Sequence, residues 1–149
     1  MVELIRTPET KLIQRLAEIE TQAFEGGGLN EWTFVPFIRH GLVFCIRLQS
    51  EVVGVVEYMR DWDQPSIAYL IGISIHESHR GKNLGTTLLR DSMEELKHYN
   101  ITNIELTVDP ENHSAVAVYQ RKLGFEVIEH RKNEYGDGKD RLAMSLILK

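Results

Sequence analysis

Residues 69–96, YLIGISIHESHRGKNLGTTLLRDSMEEL, decide how this chain is read. Leu70, Ile71, Ile73 and Ile75 form an apolar, β-branched run bounded by the polar cluster His76-Glu77-Ser78, which predicts a buried strand. Leu84, Leu88, Met93, Leu96 and Tyr99 fall along one face at helical spacing and predict an amphipathic helix. Between the two sits Arg80-Gly81-Lys82-Asn83-Leu84-Gly85. A helix N-terminus offers unpaired backbone N–H groups and the positive end of the helix dipole. Small residues let an anion approach those groups, and Arg80 and Lys82 add full charges. This is the construction of a phosphate or pyrophosphate cradle.

The absent motifs narrow the choice. No G-x-x-x-x-G-K-[ST] is present, which disfavours a P-loop NTPase, and no G-x-G-x-x-G, which disfavours a dinucleotide-binding Rossmann unit. The segment resembles the acetyl-CoA motif [QR]-x-x-G-x-[GA] of the GNAT superfamily of N-acetyltransferases, with Arg80 in the first position and Gly85 in the last. Asn83 stands where that motif usually has its middle glycine. Asn is the non-glycine residue that best tolerates a left-handed backbone, so the loop can keep its shape.

A second motif lies downstream. Asn112-x-x-Ala115, then Tyr119, then Gly124-Phe125 resembles the GNAT signature N-x-x-A-x-x-x-Y-x-x-x-G-F, with one residue more than the pattern between Tyr119 and Gly124. Counting forward from Asn112 puts Tyr119 at the tyrosine position; counting back from Gly124 puts Gln120 there. A phenol can hold and give a proton where an amide cannot, so Tyr119 is taken. The resemblance covers roughly residues 46–146.

The resemblance implies a single GNAT-like domain over residues 1–149 of mixed α/β class. Its expected form is an α+β layered fold around a twisted central sheet, with splayed central strands flanked by helices. It implies acetyl-CoA as cosubstrate and direct attack by a primary amine in a ternary complex. Cofactor contacts are implied for Ile73, Ser74 and Ile75 on the strand, for Arg80, Gly81, Lys82, Asn83, Leu84, Gly85 and Thr86 in the loop and helix start, and for Asn112 and Tyr119. Tyr119 is expected to be the general acid for the leaving thiolate. The general base stays open between Glu57, Glu105, His113 and a water chain. Aligning LTVDPEN puts Thr107 where related enzymes carry a Glu, and Glu105 lies two residues earlier on the same strand face. Glu57 interrupts the apolar run VVGVVEYM; a carboxylate there is costly unless it is paired or faces a cleft. A solvated strand-end position is the plainer expectation for it.

The Y-x-D-G-x-D pattern at residues 135–140 resembles the loop near the acceptor site of N-terminal amine acetyltransferases. A peptide or protein N-terminus and a small-molecule amine are both open as acceptors. Outside catalysis, the same motifs would serve a non-catalytic acetyl-CoA sensor or regulatory subunit.

The remaining residues set the frame. At 149 residues, 42% of them hydrophobic and 26% charged, the chain suits one globular domain. A net charge of −5 argues against a general nucleic-acid or anionic-membrane binder. No apolar run approaches a membrane span and no signal-peptide core is present. The single Cys45 fits a reducing, cytoplasmic setting and reads as a core strand residue. Six histidines invite a metal, but His76-Glu77-Ser78-His79 has neither H-E-x-x-H spacing nor a cysteine set, and no metal is expected. A homodimer would follow the family's habit; no residue points to one.

In chain order, VELIR predicts a short strand, and Thr7 with Pro8 predicts the start of a helix over 8–24 whose apolar face carries Leu12, Ile13, Leu16, Ile19 and Ala23. Gly26-Gly27-Gly28 should end it. LNEWTFVPFIRHG predicts a short helix ending at Gly41, its aromatics mostly in the core. LVFCIRLQ and VVGVVEYMRD are strands joined by a hairpin, and DWDQPS is a turn. A strand over 104–108, a helix over 113–123 closed by Gly124, and two final strands around Gly136-Asp137-Gly138 complete the order β-α-α-β-β-β-α-β-α-β-β.

Overall fold

The computed structural model describes residues 1–24 and 27–149; the part of the expected glycine helix stop that falls on Gly26 lies outside the described residues. The chain divides into two compact units, one of Met1–Met59 with Leu70–His98 and the other of Arg60–Tyr69 with Tyr99–Lys149.

In the first unit, β1 (Val2–Leu4), β2 (Leu42–Leu48), β3 (Glu51–Arg60, to Met59 in this unit) and β4 (Ile67–Ile75, from Leu70 in this unit) are neighbours in that order. The β2–β3 hairpin turns through Gln49 and Ser50, both left-handed at φ 50° and 72°. One face of the hairpin packs on α1 (Thr10–Ala23) and α2 (Glu31–His40): Ile13, Leu16, Ile19, Phe34 and Ile38 close over Val43, Cys45 and Val55. The other face carries Phe44 and Tyr58, edge to face at 6.1 Å, and meets α3 (Leu84–Leu96), where the Tyr58 hydroxyl and Ser92 share a 2.8 Å hydrogen bond. Burying these side chains supplies the bulk of the folding free energy, at about 25 cal/mol per Å² of apolar surface.

Helix α1 starts later than its sequence predicts. The Ile5 N–H still donates to the Val43 carbonyl at 2.9 Å, so the chain stays extended past β1 and spends Thr7 and Pro8 on the turn. Glu9 becomes the N-cap, without a side-chain bond. Helix α2 begins at a true cap: Asn30 accepts from the Thr33 N–H at 2.9 Å. It tolerates Pro36 over its ten residues. Its aromatics divide, Phe34 fully buried and Trp32 88% exposed, so Trp32 departs from the expected core position.

In the second unit the strand order is β4, β5 (Asn103–Val108), β7 (Arg141–Ile147), β6 (Glu126–Arg131). The start of β4 pairs with β5 in parallel over three residue pairs, Ile67–Tyr69 against Asn103–Glu105; β5, β7 and β6 are antiparallel. Ile104, Leu106 and Val108 are buried while Asn103, Glu105 and Thr107 alternate on the less buried face, as a half-covered strand requires. After β5 comes α4 (His113–Ala117), continued as one π-helical turn over Val118–Lys122. That turn absorbs the extra residue between Tyr119 and Gly124, because i→i+5 bonding fits one more residue into the same advance. Leu123 N–H donates to Val118 O at 3.2 Å, and Gly124 follows at φ +84°. The observed element order matches the sequence expectation, and the fold is mixed α/β with an open sheet flanked by helices.

Candidate active site

The first unit carries the basic loop. β4 ends at Ile75, a single 3-10 turn covers Glu77–His79, and α3 starts at Leu84. Asn83 is its N-cap at φ 59°, ψ 20°: the asparagine adopts the left-handed conformation for which the family pattern uses glycine. Its side chain makes no capping bond. The first amides of α3 therefore have no side-chain acceptor from the cap, which leaves them for an anion. The Arg80 Nε donates to the Ile75 carbonyl at 3.0 Å, fixing its side chain against the end of β4. Side chains are sparse here as well. A Cβ on Gly85 would meet only Ile75 Cγ1, at 3.8 Å, and one on Gly81, at φ +80°, would meet nothing within 4 Å. Phosphate oxygens can reach such a loop, so its residues fit the pyrophosphate end of a coenzyme. Ser74 on β4 is buried, and its hydroxyl has no hydrogen-bond partner.

The same unit holds a pair of buried carboxyls. Glu57 on β3 pairs with Val43 and points from the face that α1 and α2 cover; it is 0% exposed. The solvated strand-end position expected for it is corrected: β3 runs on to Arg60, and α1 covers the side chain. Glu20, 1% exposed, lies against it from the last turn of α1. Neither Glu57 oxygen has a hydrogen-bond partner, nor does Glu20 Oε1. Burial, and then the neighbouring Glu20 carboxyl, push the Glu57 carboxyl well above the usual carboxylate range. The sequence reading passed over Glu20. Its signal was a Glu at helical spacing from Ile13 and Leu16, on the face meant for the core.

In the second unit, Asn112 caps α4, accepting from the Ala115 N–H at 3.3 Å. Tyr119 follows in the π turn, its ring edge-on to Phe125 at 5.7 Å, and burial pushes its phenol above the ordinary tyrosine value. Glu105 lines a cavity of about 110 Å³ with Asp61, Ile67, Tyr69, Leu106, Arg131 and Ala143. The Tyr69 hydroxyl and Thr107 Oγ1 share a 2.8 Å hydrogen bond, so Thr107 does not merely replace a carboxylate but holds a second phenol in place. The sequence reading assigns the Tyr69 side chain no role. His113 is exposed on the first turn of α4.

The sequence matches the Acetyltransferase (GNAT) family over residues 10–125. The chain belongs to that family. It is 32% identical over 124 residues to an N-alpha-acetyltransferase of Saccharolobus solfataricus, a match covering 75% of this chain and 74% of the relative. Among solved structures, the ribosomal-protein-S18-alanine N-acetyltransferase of Escherichia coli superposes with a TM-score of 0.80 at 23% identity, covering 100% of this chain and 95% of that one. An aminoglycoside 6'-N-acetyltransferase complexed with coenzyme A gives a TM-score of 0.79 at 16% identity over 99% and 96% of the two chains.

This GNAT acetyltransferase is thus an acyltransferase that moves an acetyl group from acetyl-CoA to nitrogen, as its family does. Among the described residues no helix is long and apolar enough to cross a membrane. Cys45 takes no part in acyl chemistry as a nucleophile: it is fully buried in β2, and desolvation pushes its thiol up to about 12, far from the thiolate that would attack.

Proposed function

We propose that this acetyltransferase acts on the α-amino group of a peptide or protein N-terminus, by direct attack of the amine within a ternary complex. The observation that carries the acceptor class is the match to an N-alpha-acetyltransferase over three quarters of both chains. The 135–140 loop supports it: Tyr135 stacks under the Arg141 guanidinium at 4.7 Å, and Asn133 N–H donates to Asp140 at 2.9 Å, giving a shaped loop rather than a slack one.

Acetyl-CoA would supply the activated acetyl thioester. Backbone groups of Ile73, Ser74 and Ile75 would orient its pantetheine and acetyl ends, and the segment from Arg80 to Thr86 would take its phosphates. The unpartnered Ser74 hydroxyl and the open space at Gly81 and Gly85 support these roles. In the second unit Asn112 is assigned to the cofactor and Tyr119 to the proton of the leaving thiolate. Burial pushes this phenol above its ordinary value, which favours the protonated form that a general acid needs.

The test is acetyl-CoA binding by calorimetry followed by thiol release with short peptides, their N-acetylated forms and a panel of small amines. Release with free N-termini, and a product acetylated on the α-nitrogen by mass spectrometry, is the expected result. Release with small amines alone would transfer the assignment to them. Binding without any release would leave the sensor reading in its place.

A further inference from the structure

The cavity in the second unit is left unused by the residues assigned to the cofactor and to the leaving thiolate. It measures about 110 Å³, and its walls include Asp61, Ile67, Tyr69, Glu105, Arg131 and Ala143. An apolar cavity of about 150 Å³ takes a benzene ring, so this one has room for the end of a side chain and none for a nucleotide. Its charges do not balance. Glu105 is half-buried and has no hydrogen-bond or ion-pair partner among the described residues. Asp61 uses Oδ1 to accept from the Asp63 and Gln64 N–H groups, both at 2.9 Å, and its other oxygen takes no donor among the described residues. The cation in the lining, Arg131, is already answered. Its Nε donates to Glu129 at 2.6 Å and its Nη1 to Glu134 at 3.2 Å, and neither glutamate lines the cavity. A half-buried carboxylate without a partner is poorly stabilised, and a cation brought by a ligand corrects that. The remaining walls fit a stem behind such a cation. Ile67 and Ala143 suit methylene groups, and Tyr69 offers an aromatic ring whose hydroxyl is fixed 2.8 Å from Thr107 Oγ1. The cavity also has a place relative to the acceptor loop. Tyr69 and Glu105 are the last residue pair of the parallel β4–β5 ladder, and Arg131 ties the cavity through Glu134 to the start of the 135–140 loop.

We propose that this cavity is a specificity subsite that takes a basic side chain, lysine or arginine, of the acceptor peptide, and that Glu105 is the residue that selects its charge. This inference rests on the peptide-acceptor reading and adds a sequence preference to it. The group held here is a side chain of the acceptor, not the α-amine that reacts, so Glu105 acts as a fixed charge and takes no proton. The ammonium or guanidinium exchanges water for the Glu105 carboxylate, Asp61 adds a second negative charge, and the stem lies along Ile67 and Ala143. An acidic side chain in the same place would meet two carboxylates and be turned away.

The test uses short peptides with a free N-terminus in which lysine, norleucine or glutamate stands in turn at each of the first few positions. Norleucine keeps the stem of lysine and lacks its charge, so the lysine-to-norleucine ratio of kcat/KM reads the cation alone. For wild type that ratio is expected to reach roughly 10-fold at one position and to stay near one elsewhere, with glutamate below norleucine at the responsive position. Glu105→Gln keeps the shape and should bring the ratio near one. Asp61→Asn keeps the Oδ1 acceptor of its turn and should lower the ratio in part. Glu105→Lys should place glutamate above lysine. Each ratio is taken within one variant, so a general loss of activity does not imitate the result. A second readout needs no turnover: with CoA present, wild type should bind the N-acetylated lysine peptide more tightly than the N-acetylated norleucine peptide, and Glu105→Gln should bind the two alike. A wild-type ratio near one at every position, or a ratio that survives the Glu105 substitutions, overturns the subsite while the peptide-acceptor reading stands. Transfer to small amines with none to any peptide overturns that reading, and the subsite with it.

Discussion

The N–H of Phe125 donates to the carbonyl of Tyr119 at 2.9 Å, closing a helix that has already widened by one residue between them. The π turn takes up the extra residue, so Tyr119 follows Asn112 at the motif's spacing while Gly124-Phe125 still closes the helix. π turns of this kind recur at functional sites because they re-aim a side chain without lengthening the element.

Tyr119→Phe isolates the phenol. The ring packs edge-on against Phe125, and its hydroxyl has no protein partner among the described residues, so the variant should fold with stability within about 0.5 kcal/mol of wild type. If the hydroxyl protonates the leaving thiolate, kcat falls by roughly 10²–10⁴-fold with acetyl-CoA affinity nearly intact. Steady-state kinetics beside calorimetry decide it, and unchanged kcat removes Tyr119 from the chemistry.

The buried pair also has a signature in stability. Glu57 has its carboxyl raised in the folded state by burial and by Glu20. Such a group favours folding fully below its unfolded value of about 4.3 and withdraws that support as pH rises through the folded value. Glu57→Gln cannot ionise, so it should gain on wild type as pH increases, by about 1–4 kcal/mol once the wild-type group is charged. Urea denaturation at several pH values measures the difference. A gap that stays constant with pH, or that widens toward acid, would contradict a raised Glu57.

Most of the fold was legible in the sequence, and the reasons are local. The apolar, β-branched run of Leu70, Ile71, Ile73 and Ile75 and the helical spacing of Leu84, Leu88 and Leu96 are properties of single segments, so they survive into the structure unchanged. Thr7 and Pro8 misled because the β1–β2 ladder, a contact between distant residues, kept the chain extended past them. Glu57 misled for a similar reason. Whether a carboxylate on a strand is solvated depends on what lies over it, and the cover comes from Glu20, 37 positions earlier in the numbering. Tyr69 and Thr107 likewise meet only when β4 and β5 pair.

Asn83 tests the loop. At φ 59° it occupies a conformation that costs an ordinary L-residue about 1–2 kcal/mol and glycine nothing. Asn83→Gly should therefore leave stability within about 0.5 kcal/mol of wild type and keep acetyl-CoA affinity, whereas Asn83→Val should lose about 1–2 kcal/mol. Thermal unfolding with and without acetyl-CoA reads both quantities. Equal stability of the glycine and valine variants would mean that the left-handed cap is not required.

Gly124 gives the corresponding test at the other end of the motif. It sits at φ +84°, and a Cβ built on it would meet Leu146 Cδ1 at 3.8 Å, which is ordinary contact. Space is therefore not the constraint; backbone conformation is. Gly124→Ala should cost about 1–2 kcal/mol, and Gly124→Asn should cost less, because Asn accepts left-handed geometry better than Ala. If both variants cost the same, a requirement for space rather than for positive φ would explain the glycine. The order Gly, Asn, Ala in denaturant midpoint is the result that the geometry demands.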